Sequence, residues 1–503
     1  MSNFVEVVNG GLVPLAAIPN LTPDHFAGEL QALLGAGGRL AAYFADQRPD
    51  DPRLLLYAVV ARDEQGTLAL LQTSAGKEIA SLTPVCPQVH LFEREIGEQF
   101  GVTFPGHPWF KPVRFPGPAP SQVPGQKTTP HPLVADMNYF QVEGEEIHEV
   151  GVGPVHAGII EPGHFRFQCY GEKVLHLEIS LGFQHRGIER LLLGGPHPAT
   201  PAQIETMAGD TTIGHMTAHS KVIEVLSGVA APEPAQAIRA IALELERLAN
   251  HVGDIGALAG DIGFLPTASY CGRLRGDYLN MTATICGSRF GRGLVRPGGV
   301  LHALAQDMAD ELRQKLREIG TQTRGALELF FDTPSVLGRL ERVGVVSRQD
   351  AVALGLTGVA ARACGIDCDT RRHHAGGIYR ELLPDLTEAS GDVFARGMVR
   401  NWEVENSLAM LEGFLRSVPS GPLAASPGNP APATLAVSVV EGWRGQVTHV
   451  GITNDQGRFA RYKVVDPSFF NWSGLAMALR NEQISDFPLC NKSFNLSYCG
   501  FDL

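Results

Sequence analysis

The hydrophobic pattern changes period along this chain, and the changes mark its parts. Near the start, Leu54–Ala61 (LLLYAVVA) and Thr67–Gln72 are apolar runs of strand length. They flank Asp63-Glu64-Gln65-Gly66, so two strands joined by a turn are predicted. Phe26–Leu34 and Pro87–Phe100 read as helices, the second with Glu93, Glu95 and Glu98 set among apolar positions. A small α/β sandwich is expected over residues 1–115. Residues 116–133 are rich in proline and poor in apolar side chains, which predicts an extended linker. Residues 134–503 open with strand alternation in VLHLEIS, then turn helical over Pro201–Leu226. Ala235–Leu258 has a clear helical stripe of Ile238, Ile241, Leu245, Leu248 and Val252. Tyr270–Phe290 and Leu301–Phe331 add two helices about the turn Arg296–Val300, and Asp392–Leu415 adds another. Several long helices in succession predict a bundle. After a second Pro/Gly-rich stretch, Ser417–Ala433, the pattern returns to strands at Thr434–Val440, Gln446–Ile452 and Arg461–Val465, with a last helix near Leu475–Arg480. The fold class expected is α+β: a small sandwich, then a mainly helical domain with peripheral strands.

Composition narrows the function. The 503 residues are 44% hydrophobic and 19% charged, ordinary for a globular chain of two to four domains. A formal charge of −12 leaves no basic stripe to neutralise phosphates, so nucleic acid is excluded as a partner. No apolar run approaches the ~18 residues of a spanning helix, and the opening MSNFVEVVNGG lacks the basic start of a signal peptide. The eight cysteines (86, 169, 271, 286, 364, 368, 490 and 499) form no CxxC pair and no disulfide framework. An iron–sulfur cluster held by this chain alone is therefore not expected. No Gly-rich dinucleotide loop is present either.

The densest candidate chemistry lies in Gly151–Leu192. His156, Glu161, His164 and Arg166 crowd one stretch punctuated by Gly and Pro, and His185, Arg186, Glu189 and Arg190 follow. Taken alone, such a stretch also describes a surface hairpin with satisfied histidines. The strings GPVHAGIIEPGHFRF and LGFQHRGIERLL, however, closely resemble the large subunit of membrane-bound, complex-I-related (group 4, formate hydrogenlyase type) [NiFe] hydrogenases. They are similar, more distantly, to the quinone-site subunit of respiratory complex I. ARACGIDCDTRR, SGDVFARGMVRNWEVENS and Arg444–Leu489 carry the same resemblance. LFEREIGEQFGVTFPGHPWFKPVRFP (Leu91–Pro116) resembles complex I's small hydrophilic subunit, and its Phe104, Trp109, Phe110 and Phe115 suit a docking arm. The resemblance implies two such subunits fused in one polypeptide.

Hydrogenases of this type hold nickel with four thiolates from two CxxC pairs. Counting back from Ala218-His219-Ser220 puts Thr212 and His215 at the first pair. At the end of the chain, NLSYCGFDL puts Ser497 and Gly500 at the second, with Cys499 out of register. Thr and Ser stay protonated near neutrality and Gly has no donor, so nickel and hydrogenase activity are not expected. The chain also stops three residues after Gly500, without the tail that nickel enzymes often shed. Against the complex I pattern Asp-Tyr-x-His, the matching positions are Thr212, Ile213, Gly214 and His215, so the histidine stays and the quinone-holding tyrosine does not.

The resemblance thus implies a peripheral subunit on the cytoplasmic side of a membrane. It would work with an iron–sulfur small subunit, other hydrophilic subunits and proton-pumping membrane subunits. It would wall a cavity in which a quinone-like acceptor takes electrons from the partner's cluster. Glu161, His164, His215 and His219 are expected to handle protons there. Asp210, Thr212, Ile213, Arg166 and Arg186 would line or support the acceptor site. NADH, ferredoxin or formate modules would attach through other subunits. A redox-inert structural subunit is the alternative.

Overall fold

A computed structural model describes residues 3–47, 53–116, 133–156, 160–375, 379 and 384–503. The linker expected over 116–133 lies, for residues 117–132, outside the described residues. The first part of the chain contains β1 (Val5–Val8), β2 (Leu12–Pro14), β3 (Asn20–Leu21), β4 (Arg39–Gln47), β5 (Leu54–Arg62) and β6 (Thr67–Ala75), with helices Pro23–Gly35 and His90–Phe100. Its sheet runs β1-β6-β5-β4, with β3 parallel to β6. β5 and β6 form the expected hairpin, in register from Leu54↔Ala75 to Arg62↔Thr67. β4 does not read as a strand in sequence, because its polar ends and small residues break the alternation. It is nonetheless buried along almost its whole length.

One strand of this first part leaves it. β2 pairs with β12 (Thr434–Gly442), Leu12 opposite Ala436, and so completes a sheet otherwise built from the far end of the sequence. The aromatic arm likewise turns onto its own chain. Phe104 and Phe115 are buried, Trp109 packs on Phe140 and His176, and Lys111 Nζ donates to Glu178 at 2.7 Å. Arg114 donates to the Phe501 carbonyl at 2.7 Å and pairs with Glu95. Glu95 also accepts from Lys463 Nζ at 2.7 Å. Arg114, Glu95 and Lys463 are all out of water, and each has an opposite partner, as burial requires.

The rest comprises a hairpin sheet, a bundle and the shared sheet. β7 (Ile147–Val152), β8 (His164–Tyr170) and β9 (Lys173–Ser180) form an antiparallel sheet. The Arg296–Val300 turn closes a small hairpin of β10 (Val295–Arg296) and β11 (Gly299–Val300). Helices Glu233–Asp261, Leu265–Cys286, Gln306–Phe331 and Val393–Arg416 pack as the expected bundle. β12, β13 (Gly445–Thr453) and β14 (Phe459–Val465) form the shared sheet with β2, in the order β14-β13-β12-β2. The helix expected over 201–226 is two helices, Thr200–Glu205 and Thr212–Leu226, separated by a turn through Gly209 and Asp210. That interruption sets up the site. No helix of the described residues is long and apolar enough to cross a membrane.

Candidate functional site

The Thr212–Leu226 helix begins inside the protein. A buried helix start leaves backbone N–H groups without partners unless something caps them. Here the cap comes from a neighbouring helix: Glu246 accepts from Ile213 N at 2.8 Å and Gly214 N at 3.2 Å. Burial pushes the Glu246 carboxyl up to about 8, against the pull of those two N–H groups. Its folded pKa lies above the 4.5 of a free glutamate, so the protonated form is the one folding favours. The resulting stability is complete below the unfolded value and is lost as pH rises through about 8. We expect unfolding free energy to fall between about pH 4.5 and pH 8 by on the order of a few kcal/mol and to level off above that, with most of that slope gone in Glu246→Gln. Urea titrations at fixed pH steps measure it. A slope equal in the two proteins would refute the assignment.

From this start the helix lies across the shared sheet. It comes close to β13 at Gly451, where an added Cβ would stand 2.9 Å from Val222 Cγ1. The missing side chain lets helix and strand meet. His215 and His219, four apart on one helical face, therefore reach the sheet. On the sheet, His449 lies two positions from Gly451, on the same face, and Gly451 pairs with Tyr462 across to β14. The four side chains and Asp466, which follows β14, join in one hydrogen-bonded chain. Asp466 Oδ2 is 3.0 Å from His215 Nε2, and His215 Nδ1 is 3.1 Å from His449 Nε2. His449 Nδ1 is 2.9 Å from the Tyr462 hydroxyl, and His219 Nδ1 is 2.7 Å from the same hydroxyl. All five are at most 1% exposed.

Burial holds His219 down to about 3 and His449 well below the usual histidine range, so both are neutral. It also raises the Tyr462 phenol well above its ordinary value, so the hydroxyl keeps its proton. Asp466 is opposed by burial, but His215, and behind it Arg444, hold its carboxyl below the usual range. Two proton arrangements then satisfy every bond. In the first, each proton points toward Asp466: His219 donates to Tyr462, Tyr462 to His449, His449 to His215, and His215 to the carboxylate. In the second, His215 carries a proton on both nitrogens and every other bond is reversed. They differ by one proton: uptake at His219 Nε2, with one hop along each of the three bonds between His219 and His215, converts the first into the second.

The end of the chain closes the site beside Asp466. Asp466 caps the Pro467–Ala478 helix through Ser468 N, at 2.8 Å. A Cβ on Gly500 would stand 2.7 Å from Asp466 Cγ and 2.9 Å from Ser497 Oγ. The carboxylate thus fills the volume that a cysteine at position 500 would need. Ser497 Oγ accepts from Gly500 N at 2.9 Å and lies 3.4 Å from Cys499 Sγ. Glu161 accepts from Tyr498 N at 3.2 Å, and burial together with Glu161 pushes the Cys499 thiol up to about 12. Thr212 Oγ1 donates to the carbonyls of Glu205 and Gly209. Among the described residues no thiolate faces this space, and its donors are the Asp466 and Glu161 carboxylates, imidazoles, hydroxyls and the protonated Cys499 thiol. That set does not fit a thiolate-held nickel centre.

The structure therefore brings together His215 and His219, with Glu161 held on Tyr498 and Cys499 of the adjoining chain end and Asp210 and Arg186 at the edges. Asp210 binds Arg444 through both oxygens at 2.7 and 2.8 Å, and that guanidinium, against the effect of burial, keeps the carboxyl low. Arg186 donates to the carbonyls of Thr206 and Met207 at 2.9 Å, and to that of Cys499 at 3.4 Å. It ties the turn before the helix to the end of the chain. Ile213 packs its side chain against the Gly291 turn. His164 and Arg166 stand apart on β8: His164 Nδ1 lies 3.2 Å from the Gly153 carbonyl, Arg166 pairs with Glu149, and both pack on Tyr139. None of their contacts among the described residues reaches the His215 chain. Asp466, His449 and Tyr462 carry no motif that marks them in sequence, although Arg444–Leu489 contains them. The available signal is a histidine on an apolar strand followed, after one turn, by tyrosine and Asp-Pro at a helix start.

Comparison with known proteins agrees with this architecture. The family described as "Respiratory-chain NADH dehydrogenase, 49 Kd subunit" matches residues 261–431, and "Respiratory-chain NADH dehydrogenase, 30 Kd subunit" matches residues 39–138. The carbon monoxide-induced hydrogenase of Rhodospirillum rubrum is 31% identical over 350 residues, 69% of this chain and 97% of that protein. Formate hydrogenlyase subunit 5 of Escherichia coli (strain K12) is 29% identical over 488 residues, 92% of this chain and 84% of that protein. The C/D subunit of NADH-quinone oxidoreductase from Bacteroides thetaiotaomicron is 28% identical over 401 residues, covering 73% of this chain and 74% of that protein. Among solved structures, that of the membrane-bound sulfane sulfur reductase, an archaeal respiratory membrane complex, shares the fold with a TM-score of 0.67. That likeness is at 23% identity, over 71% of this chain and 99% of the other. Fold, site and relatives define an oxidoreductase subunit of the complex-I-like class. The chain belongs to the complex-I-related, group 4 hydrogenase-like large-subunit family, in the form that fuses the 30 and 49 Kd regions.

Proposed function

We propose that this chain works in a membrane-associated complex-I-like oxidoreductase as the wall of an electron-acceptor cavity beside a partner's iron–sulfur cluster, with proton-pumping membrane subunits as further partners. A quinone-like acceptor would take two electrons, one at a time from that cluster, and two protons, becoming the quinol. The reading is carried by one observation: an unbroken, buried chain from His219 through Tyr462, His449 and His215 to Asp466. A proton arriving at His219 Nε2 leaves the far end of that chain as a second proton on His215, next to Asp466 and the Glu161–Cys499 corner. Relays of this kind keep proton supply off the rate-limiting path when electrons arrive. Glu161 is the group at the cavity rim that passes the proton on, and Arg186 and Asp210 hold the two segments that frame the rim.

Complete burial of the five side chains favours a second reading, a redox-inert subunit that transmits conformational change. Electron paramagnetic resonance on the intact purified complex separates the two. The complex is reduced, quinone is added anaerobically, and the partner's terminal cluster is followed. Rapid reoxidation by quinone, slowed roughly 100-fold in His215→Ala, is the expected result. A cluster that stays reduced with quinone while non-physiological oxidants discharge it would end the acceptor reading. Reoxidation as fast in the variant as in the parent would end the role of the buried chain.

A further inference from the structure

The turn at Gly209-Asp210 borders a positive surface on a chain whose formal charge is −12. Four arginines lie along it. Arg186 donates to the carbonyls of Thr206 and Met207, and Arg292 Nη2 lies 3.7 Å from where a Cβ on Gly209 would stand. Asn250 of the Glu233–Asp261 helix donates to the Asp210 carbonyl at 3.1 Å. Three residues on, about 4.5 Å along that helix, the Arg275 side chain is laid across Gly253. Its Cδ is 2.6 Å and its Nε 3.0 Å from the Cβ that this glycine lacks. Gly276, the next residue, accepts from Arg289 Nη2 at 3.5 Å. Phe290, within the same Arg289–Arg292 loop, is exposed.

Among the described residues, none of these four guanidinium groups pairs with a carboxylate, and the bonds that Arg186 and Arg289 make go to carbonyls. Arg186, Arg289 and Arg292 are exposed, and Arg275 is half-buried. The carboxylates nearby are already taken. Asp210 binds Arg444 at 2.7 Å, Glu205 binds Arg296 at 2.5 Å, and Asp277 binds Arg273 at 2.7 Å. Glu161 is held on Tyr498 N and the Cys499 thiol. The glycines matter because they let the arginines lie against backbone. A guanidinium seated in this way loses little further freedom on binding, and its planar fork matches a carboxylate through two parallel hydrogen bonds.

We infer that this surface docks an acidic segment of a partner subunit, its Asp and Glu side chains forked onto Arg275, Arg289 and Arg292 and an apolar side chain laid against Phe290. Attraction at physiological salt reaches only about 8 Å, and a seated segment needs no more than that local field. An anionic bilayer meets the chain as a whole, whose net charge repels it. The inference does not rest on the acceptor reading, because its readout is assembly and not electron transfer.

Zero-length cross-linking of the intact purified complex tests it. Arg289→Lys and Arg292→Lys keep the charge and add an amine, which carbodiimide joins only to a carboxylate in contact. Peptide mass spectrometry should find these positions linked to Asp or Glu of another subunit, and the links should fade at about 1 M salt. Arg289→Glu combined with Arg292→Glu should weaken the association of that subunit about ten-fold or more at fixed salt. Arg348→Glu, the same change at an exposed position elsewhere, should leave it unchanged. Links that stay within this chain, or none, would overturn the assignment, as would association unaltered by the double reversal. An equal loss in Arg348→Glu would reduce the effect to net charge and overturn it too. If the double reversal instead releases the complex from anionic vesicles with every subunit still bound, the surface takes lipid and the proposal fails.

Discussion

In urea, Glu403→Gln is expected to unfold with a loss of roughly 3–5 kcal/mol, the scale seen when one member of a buried charge network is removed. Glu403 stands at the centre of the bundle with no exposure. It pairs with Arg362, accepts from Arg247 Nη1 at 3.3 Å and lies 2.8 Å from His251 Nε2. Glu441 of β12 and Asp369 hold the other side of Arg362. Three helices and a strand thus share one ionic knot. The amide keeps the shape and takes away the charge, leaving the cations partly uncompensated at zero exposure. Burial by itself would raise the Glu403 carboxyl, but Arg362, followed by His251 and Arg247, holds it well below the usual range. Its folded pKa lies below the free value, so its contribution is present above about pH 4.5 and disappears as pH falls further. The parent protein should therefore lose stability in acid more steeply than the variant. The chain need not unfold in two states, so the midpoint of the bundle's own transition is the quantity to compare. A midpoint unchanged within about 0.5 kcal/mol would remove the knot from the account of stability.

The largest functional effect is expected from Tyr462→Phe. The ring stays and only the hydroxyl goes, so His449 Nδ1 and His219 Nδ1 lose the atom that joins them. The structural cost should be on the order of 1–3 kcal/mol for two imidazoles left short of a partner. Proton-coupled reduction of the acceptor by the intact complex should slow by about 100-fold or more. Electron transfer to an oxidant that takes no proton should be unaffected. The isotope effect is the readout that a purely structural role would not move. If the relay limits the variant, its rate in deuterated water should drop further than that of the parent. Equal rates with quinone in Tyr462→Phe and parent protein would show that protons reach the acceptor another way.

The elements most legible in sequence are those whose residues obey one local period. The β5–β6 hairpin, the four bundle helices and the β12–β14 return all fall close to their expected ranges, because each buries one regular set of side chains. Where burial is governed by distant neighbours, the pattern misleads or stays silent. Glu244, Arg247 and Asp254 sit in the polar phase of the Glu233–Asp261 helix, which the stripe of Ile238, Ile241 and Leu245 assigns to solvent. Instead they are buried, because Arg371, Glu403 and Arg400 meet them from other segments. Likewise, Pro201–Leu226 reads as one helix by propensity. Its break at Gly209-Asp210 is held by Arg444 and Glu246, 234 and 33 residues from the atoms they bind.

The same division runs through the site. The missing thiolates at positions 212, 215, 497 and 500 are facts of residue type, and the sequence alone determined that the donor set for nickel is absent. It also determined, through His215 and His219 four apart, that two imidazoles share a helical face. What takes the metal's place was decided only by tertiary structure. Asp466 occupies the room above Gly500, and His449 and Tyr462 meet the helix because Gly451 lets it lie close to the sheet. His164 and Arg166, near Glu161 in sequence, are instead taken up by the β7–β8–β9 sheet and its neighbour Tyr139, and their contacts among the described residues do not reach the His215 chain. Residue identity sets which groups can give or accept a proton. Whether they form a continuous path depends on contacts between segments up to 251 residues apart, which no local period encodes.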